Sequence, residues 1–283
     1  MKFEIKSAEH TFLDASGYWL EGMHYNNDTL VVTFENLSGG IYRPNGYREG
    51  WGSGFFRKRE VSHLCIKPLY ADWYQGENLA LGLTALKKSG YFRRYKRVIC
   101  YGGSMGGFGA LAYSDLIGAN TVLAINPQST MSLKKVPWET RFKVAQRQAW
   151  TGKFSDANGK YKLADNVIIY ADMRYDMDAR QVDRLKGENV TIVNSPFLGH
   201  QLPYHFQVMG VLGKVVDHAI AGSNDLSEMR LAMRKRRYSQ SYYKRLIDRD
   251  RVRSSPTFFK IVRTHQISLN KKIKAQREAS STE

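Results

Sequence analysis

Residues 97–111 constrain this chain more than any other stretch. An apolar, β-branched and aromatic run ending at Tyr101 breaks into Gly102 and Gly103, reaches Ser104, and resumes through Met105, Gly106 and Gly107 into the helix-forming Phe108, Ala110 and Leu111. Gly102-Gly103-Ser104-Met105-Gly106 fits the pattern Gly-x-Ser-x-Gly. That pattern belongs to a tight turn from strand to helix, which holds a serine in a strained backbone geometry with its hydroxyl exposed. The outer glycines are needed because a side chain at 102 or 106 would collide with the neighbouring strand or helix, and the serine sits where free helix N–H groups can stabilise negative charge. A phosphate-binding reading is disfavoured. The glycine spacing lacks the Lys-Ser/Thr ending of a P-loop, and no acidic residue lies at the distance a dinucleotide fingerprint needs.

A serine hydroxyl needs a base, and in chains with this turn the order is serine, acid, histidine. Of the 7 histidines, His10, His24 and His63 precede Ser104, leaving His200, His205, His218 and His265. His200 ends the loop Ser195-Pro196-Phe197-Leu198-Gly199 beyond a strand expected at 190–193, whereas His205 and His218 fall on an expected helix and His265 in a basic tail. His200 is therefore the expected base. The acid should follow the strand expected at 167–170, where Asp172, Asp176 and Asp178 compete. Asp178 suits the N-cap of a helix at 179–185, which leaves Asp176 in the loop ahead of it as the expected acid and Asp172 as the alternative.

With Ser104, Asp176 and His200 in this order, the chain resembles the α/β-hydrolase superfamily over about residues 29–221. Strands are expected at 29–35, 61–67, 98–101, 122–125, 167–170 and 190–193. Helices at 77–88, 105–116, about 138–150, 179–185 and 204–219 alternate with them. Such alternation implies a mostly parallel sheet with helices on both faces and ligands at the carboxyl ends of its strands. The resemblance implies an acyl-serine mechanism on esters, small or carried on a carbohydrate, with no cofactor and no metal. One oxyanion N–H should come from Met105. No His-Gly-Gly-Gly run is present to supply the second, so Leu69 or Tyr70, after the strand at 61–67, is the expected donor. Trp73 and Tyr74 serve equally as pocket walls or as core, and Gln128, after Asn126-Pro127, is a further pocket candidate beside the plainer reading of a proline turn.

The remaining features set boundaries. Hydrophobic residues make up 42% of the 283, enough for one sizeable core and a small appendage. The expected organisation is an α/β domain at 1–222, opened by antiparallel strands, and a basic helical extension at 223–283. A turn signal at 42–46 interrupts the first part, and Arg43, Arg48, Arg57 and Lys58 are either a solvated face or a grip for an anionic substrate. Cys65 and Cys100 each fall in a core strand and offer neither a disulfide framework nor zinc spacing. The start lacks a secretory signal and no run of 18 apolar residues occurs, so the expected location is cytoplasmic, with the membrane periphery as an option.

That option comes from charge. The chain carries +17, of which the residues from Asn224 onward supply 16 Lys and Arg against 6 Asp and Glu, a net +10. Arg234-Lys235-Arg236-Arg237 and Tyr242-Tyr243-Lys244-Arg245 suggest helices with one basic face and one aromatic-aliphatic face, and a further basic helix is expected at 257–276, before a disordered end. The surface is either simply solvated or a seat for an anionic membrane or polymer. A second function class follows, a binding protein that keeps the hydrolase scaffold while its tail does the work.

Overall fold

The computed structural model describes residues 2–7, 10–37, 49–223 and 225–280. The turn expected at 42–46, Arg43, Arg48 and residues 281–283 lie outside the described residues. The strands are β1 (Lys2–Ser7), β2 (His10–Asp14), β3 (Tyr18–Met23), β4 (Thr29–Phe34), β5 (Ser62–Pro68), β6 (Arg97–Gly103), β7 (Thr121–Ile125), β8 (Asn166–Ala171) and β9 (Val190–Asn194). Among the described residues they form one sheet in the order β1-β2-β3-β5-β4-β6-β7-β8-β9. β1, β2 and β3 join antiparallel, β3 pairs antiparallel with β5, and every pair from β5 to β9 is parallel.

Strands 4 to 8 read as near-continuous apolar runs because both of their faces are covered. Alternate residues go to opposite sides. Leu30, Val32, Val98, Cys100, Val122 and Val167 join one core cluster, while Val31, Ile99, Tyr101, Leu123 and Ile168 join the other. Both cysteines are buried, and burial pushes the Cys65 thiol up to about 11.

The helices are α1 (Ser53–Arg57), α2 (Glu77–Lys88), α3 (Met105–Ala112), α4 (Ser114–Ile117), α5 (Lys143–Gln146), α6 (Asp176–Val182), α7 (Leu202–Val208) and α8 (Leu212–Ala221). The C-terminal set is α9 (Ser227–Ala232), α10 (Gln240–Ile247), α11 (Asp250–Arg253) and α12 (Pro256–Ser280). Leu79, Leu83 and Leu86 of α2 and Phe108 and Leu111 of α3 pack on the first face, and Phe56, Phe206, Val215 and Val216 from α1, α7 and α8 on the second. The fold is thus α/β, with an antiparallel N-terminal region and C-terminal helices. No helix among the described residues is long and apolar enough to cross a membrane.

Five expected helices differ, one of them that expected at 179–185, which runs over Asp176–Val182. The one expected at 105–116 divides at Tyr113, whose φ of −104° leaves the helical range, and the one at 204–219 divides at Gly210, where φ is +64°. The stretch 138–150 holds only the short α5, because Glu139 and Arg141 turn inward to a polar cluster rather than lying on a helix surface. α12 continues to Ser280, past the point where a disordered end was expected. α9 and the 3-10 turn Met233–Tyr238 belong to the second core through Met229 and Met233, whereas Tyr243, Val252 and Val262 of α10, α11 and α12 form a small core of their own.

Strand order positions the site. After β4 the chain builds β5 on one side, then crosses to place β6 on the other side of β4, and continues outward with β7, β8 and β9. The direction of winding reverses between β4 and β6, and the carboxyl ends of these two strands open a crevice there.

Candidate active site

Ser104 follows β6 directly, with φ 51° and ψ −118°, and occupies the N-cap position before α3. A non-glycine residue at positive φ is strained and persists where its surroundings hold it. Here the hold is steric. A Cβ on Gly102 would run into the backbone of Gly106, and one on Gly106 would run into the carbonyl of Phe34 at the end of β4. The Ser104 N–H donates to the Ile125 carbonyl at 2.9 Å, tying the turn to β7.

Three side chains meet in a continuous line. Ser104 Oγ lies 2.8 Å from His200 Nε2, and His200 Nδ1 lies 2.8 Å from Asp178 Oδ1. With Nδ1–H donating to the carboxylate, Nε2 keeps its lone pair for the serine hydroxyl. Gln128 Nε2 donates to Ser104 Oγ at 3.2 Å, and Trp73 Nε1 donates to Gln128 Oε1 at 3.3 Å. The Ser104–His200 pair lies on a cleft of about 430 Å³, walled by Asn36, Leu37, Phe142 and Tyr204.

The carboxylate that meets His200 is neither of those expected. Asp176 points to solvent, its side chain 77% exposed and 3.6 Å from Arg180 on its own helix. Asp172 is buried, but its Oδ2 accepts the Gly199 N–H at 2.7 Å and its Oδ1 the Arg174 N–H at 3.0 Å, so it shapes the histidine loop without touching the ring. The physical reason is helix phase. α6 begins at Asp176, three residues earlier than expected, so Asp178 is not a cap but lies in the first turn and faces the core.

The loop after β5 is also in the wrong place for the expected donors. β4 separates β5 from β6, Leu69 already gives its N–H to the Gly17 carbonyl at 2.9 Å, and the Tyr70 side chain projects into solvent. The segment that follows the strand beside β6 is Glu35, Asn36 and Leu37, and two of these wall the cleft. Trp73 and Tyr74 are fully buried and do not line the cleft. Trp73 positions Gln128 and packs its ring 5.5 Å from Phe142, while the Tyr74 hydroxyl donates to the Glu35 carbonyl at 2.6 Å. Lys58 is exposed, and Arg57 pairs with Glu49 at 2.6 Å.

A charge cluster supports the line from behind. Arg141 donates from Nη1 to Asp178 Oδ1 at 2.6 Å and from Nε and Nη2 to the two oxygens of Glu139 at 2.8 and 2.6 Å. Burial alone would raise the Glu139 carboxyl, but the bonds and charge of Arg141, then the Gln181 amide, outweigh it and hold the group below the usual carboxylate range. Burial likewise disfavours the Arg141 charge, and its bonds to Glu139 and the charge of Asp178 outweigh that. Neither residue is recognisable in the sequence, since Trp138-Glu139-Thr140-Arg141 carries no spacing signal. Among the described residues no group of three His, Cys, Asp or Glu could hold a metal ion.

No protein-family model matches the sequence, and no curated protein matches it. Solved structures do. A thermophilic, thermostable carboxylesterase cloned from a metagenomic library overlaps 80% of this chain and 92% of its own, at 13% identity and a TM-score of 0.51. A chain of the glycosylation-associated protein complex of Streptococcus agalactiae is covered over 46% of its length by 77% of this one, at 15% identity and a TM-score of 0.52. The fold is that of the α/β-hydrolases. Within the α/β-hydrolase fold, Ser104, Asp178 and His200 follow β6, β8 and β9 at the same sheet edge.

Proposed function

We propose that the protein is a serine-dependent acyl hydrolase acting on carboxylic esters, with Ser104 as nucleophile, His200 as general base and then acid, and Asp178 as the acid that orients it. The observation that carries this reading is the unbroken Ser104–His200–Asp178 line at 2.8 and 2.8 Å, reached from an open cleft. Ser104 Oγ attacks the acyl carbon while its proton passes to His200 Nε2. His200 then returns that proton to the departing alkoxide as the C–O bond breaks, leaving an acyl-serine. Water repeats the sequence with the same proton route and releases the acid. The Met105 N–H, at the start of α3, and an N–H from Asn36 or Leu37 are the oxyanion donors in this reading. Gln128 donates to the hydroxyl oxygen from beside His200, its Nε2 3.5 Å from the imidazole Nε2. The overlap with a carboxylesterase supports ester substrates.

Fluorophosphonate labelling tests this. The folded wild type takes one label, and Ser104→Ala takes none. No labelling of folded wild type rejects the reading.

A second observation favours an anionic partner. Arg236, Arg245 and Arg249 have no carboxylate within ion-pair distance among the described residues, and they lie over the rings of Tyr242, Tyr175 and Phe197 at 5.6, 5.4 and 5.9 Å. The Arg245 guanidinium packs on Gly199, the residue before His200. A polyanion held on this surface would lie beside the cleft, as an ester-bearing acidic polymer would require. Binding to polygalacturonate that weakens steeply with salt supports this second reading, and salt-independent binding rejects it.

A further inference from the structure

Asp178 shares one oxygen between two partners. His200 Nδ1 and Arg141 Nη1 reach the same Oδ1, at 2.8 and 2.6 Å, and stand 3.3 Å from each other. The other oxygen, Oδ2, is buried without a partner among the described residues. Arg141 is pinned on its far side by both oxygens of Glu139, a residue with no exposed surface, whose Oε2 also accepts from Gln181 Nε2 at 3.2 Å. The Arg141 guanidinium lies over the rings of Phe142 and Tyr175, at 5.2 and 5.5 Å.

The charges behind the imidazole therefore comprise two carboxylates and one guanidinium, a net of one negative charge. When His200 takes the serine proton, the cluster becomes neutral. If Asp178 and Arg141 stood alone, the pair would already be neutral and the imidazolium would add an unbalanced charge in a poorly solvated place. We propose that Arg141 and Glu139 form a positioning and charge-setting pair for the Ser104–His200–Asp178 line. Arg141 fixes the Asp178 oxygen that receives the imidazole N–H, and Glu139 restores the negative charge that Arg141 cancels. This rests on the hydrolase reading above. Neither residue touches the reacting atoms.

The other groups around His200 stay constant in the test. From the end of β8 Asp172 holds the Gly199 N–H, from α10 Arg245 packs on Gly199, from the segment before α6 Tyr175 lies between Arg141 and Arg245, and from α7 Tyr204 lines the cleft. Asn126 and Gln128 add only neutral amides, 3.1 and 3.5 Å from the ring nitrogens.

The experiment follows the rate of Ser104 labelling by a fluorophosphonate, and kcat/KM for p-nitrophenyl acetate, from pH 4 to 9 in folded wild type, Glu139→Gln, Arg141→Met and Arg141→Lys. Removing the Glu139 charge disfavours the imidazolium, so the acid limb of both profiles moves about 1 pH unit lower, with a slower maximum rate. Removing the Arg141 charge favours the imidazolium, so the limb moves about 1 pH unit higher. Arg141→Lys keeps the charge without the fork, so its limb stays near that of wild type while the maximum falls about tenfold. Shifts of opposite sign are not produced by a general loosening of the fold. Should Arg141→Met fail to fold, Glu139→Gln decides the question: a lower limb supports the pair, and an unmoved limb overturns it. Limbs that coincide, or shift the same way in both neutral variants, also overturn it while leaving the hydrolase reading standing. Wild type that neither labels nor turns over ester takes down both.

Discussion

Cations in two regions of this protein keep different company. Around the candidate site Arg141 binds Asp178 and Glu139, and Arg184 binds Asp156 at 2.8 Å and Ser129 Oγ at 2.8 Å. On the C-terminal helices Arg236, Arg245 and Arg249 rest on aromatic rings with no carboxylate partner among the described residues. The same side chain thus does two kinds of work. Half-buried and paired, it holds carboxylates in place at a desolvation cost that its own bonds offset, so losing it is expensive. Exposed and without a carboxylate, as at Arg245 and Arg249, it contributes little to folding and is free to meet an anion, while Arg236 is half-buried and gives one N–H to the Met233 carbonyl.

The sharpest way to break the comparison is at the carboxylate the paired cations serve. Asp178→Asn is expected to lower kcat on p-nitrophenyl acetate by about 10⁴-fold by spoiling the imidazole's orientation, while Asp176→Asn, on an exposed carboxylate of the same helix, stays within about threefold of wild type. Equal effects would remove Asp178 from its proposed role. Next in size is stability. Arg141→Met leaves Asp178 and Glu139 buried without their cation and is expected to cost about 3 to 5 kcal/mol in urea unfolding. The triple change of Arg236, Arg245 and Arg249 to Gln is expected to stay within about 1 kcal/mol of wild type in the same assay, while reducing the salt slope of polyanion binding by up to about three.

The smallest effect is read in acid. Glu139 titrates lower in the folded chain than in an unfolded one, so its contribution is complete above the ordinary glutamate range and disappears as pH falls through its folded value. Thermal melts from pH 6 to 3 should therefore show wild type losing more stability than Glu139→Gln. Parallel losses would mean that Arg141 does not hold Glu139 as its bonds imply.

What the sequence discloses and what it hides follow from the range of the interactions involved. The glycines around Ser104 are local, since each excludes a Cβ within a single turn, so the strand, serine and helix are readable from adjacent residues. His200 is readable from chain order and its loop. The helix after β8 starts earlier than its capping signals suggest, and three residues of phase separate an exposed Asp176 from a buried Asp178. Assigning the oxyanion segment requires knowing that β4, not β5, lies beside β6, and strand order is not written in any one strand. Glu139 and Arg141 are recognisable only once the folded chain has brought α6 against them. Gln128 is the intermediate case, placed by its position after a strand but given its contact with Ser104 by the distant Trp73.

Met229 and Met233 sit in the same buried cluster as Phe206 and Val215, and Ser195, at the foot of the histidine loop, donates its hydroxyl to the Met233 sulfur at 3.3 Å. A chain trimmed after Gly222 to shed its basic residues would lose three plugs from beneath the sheet, Leu226, Met229 and Met233, as well as +10 of its +17 charge. The natural place to shorten this protein for crystallisation or assay therefore lies beyond Tyr238, not at the glycine that closes α8.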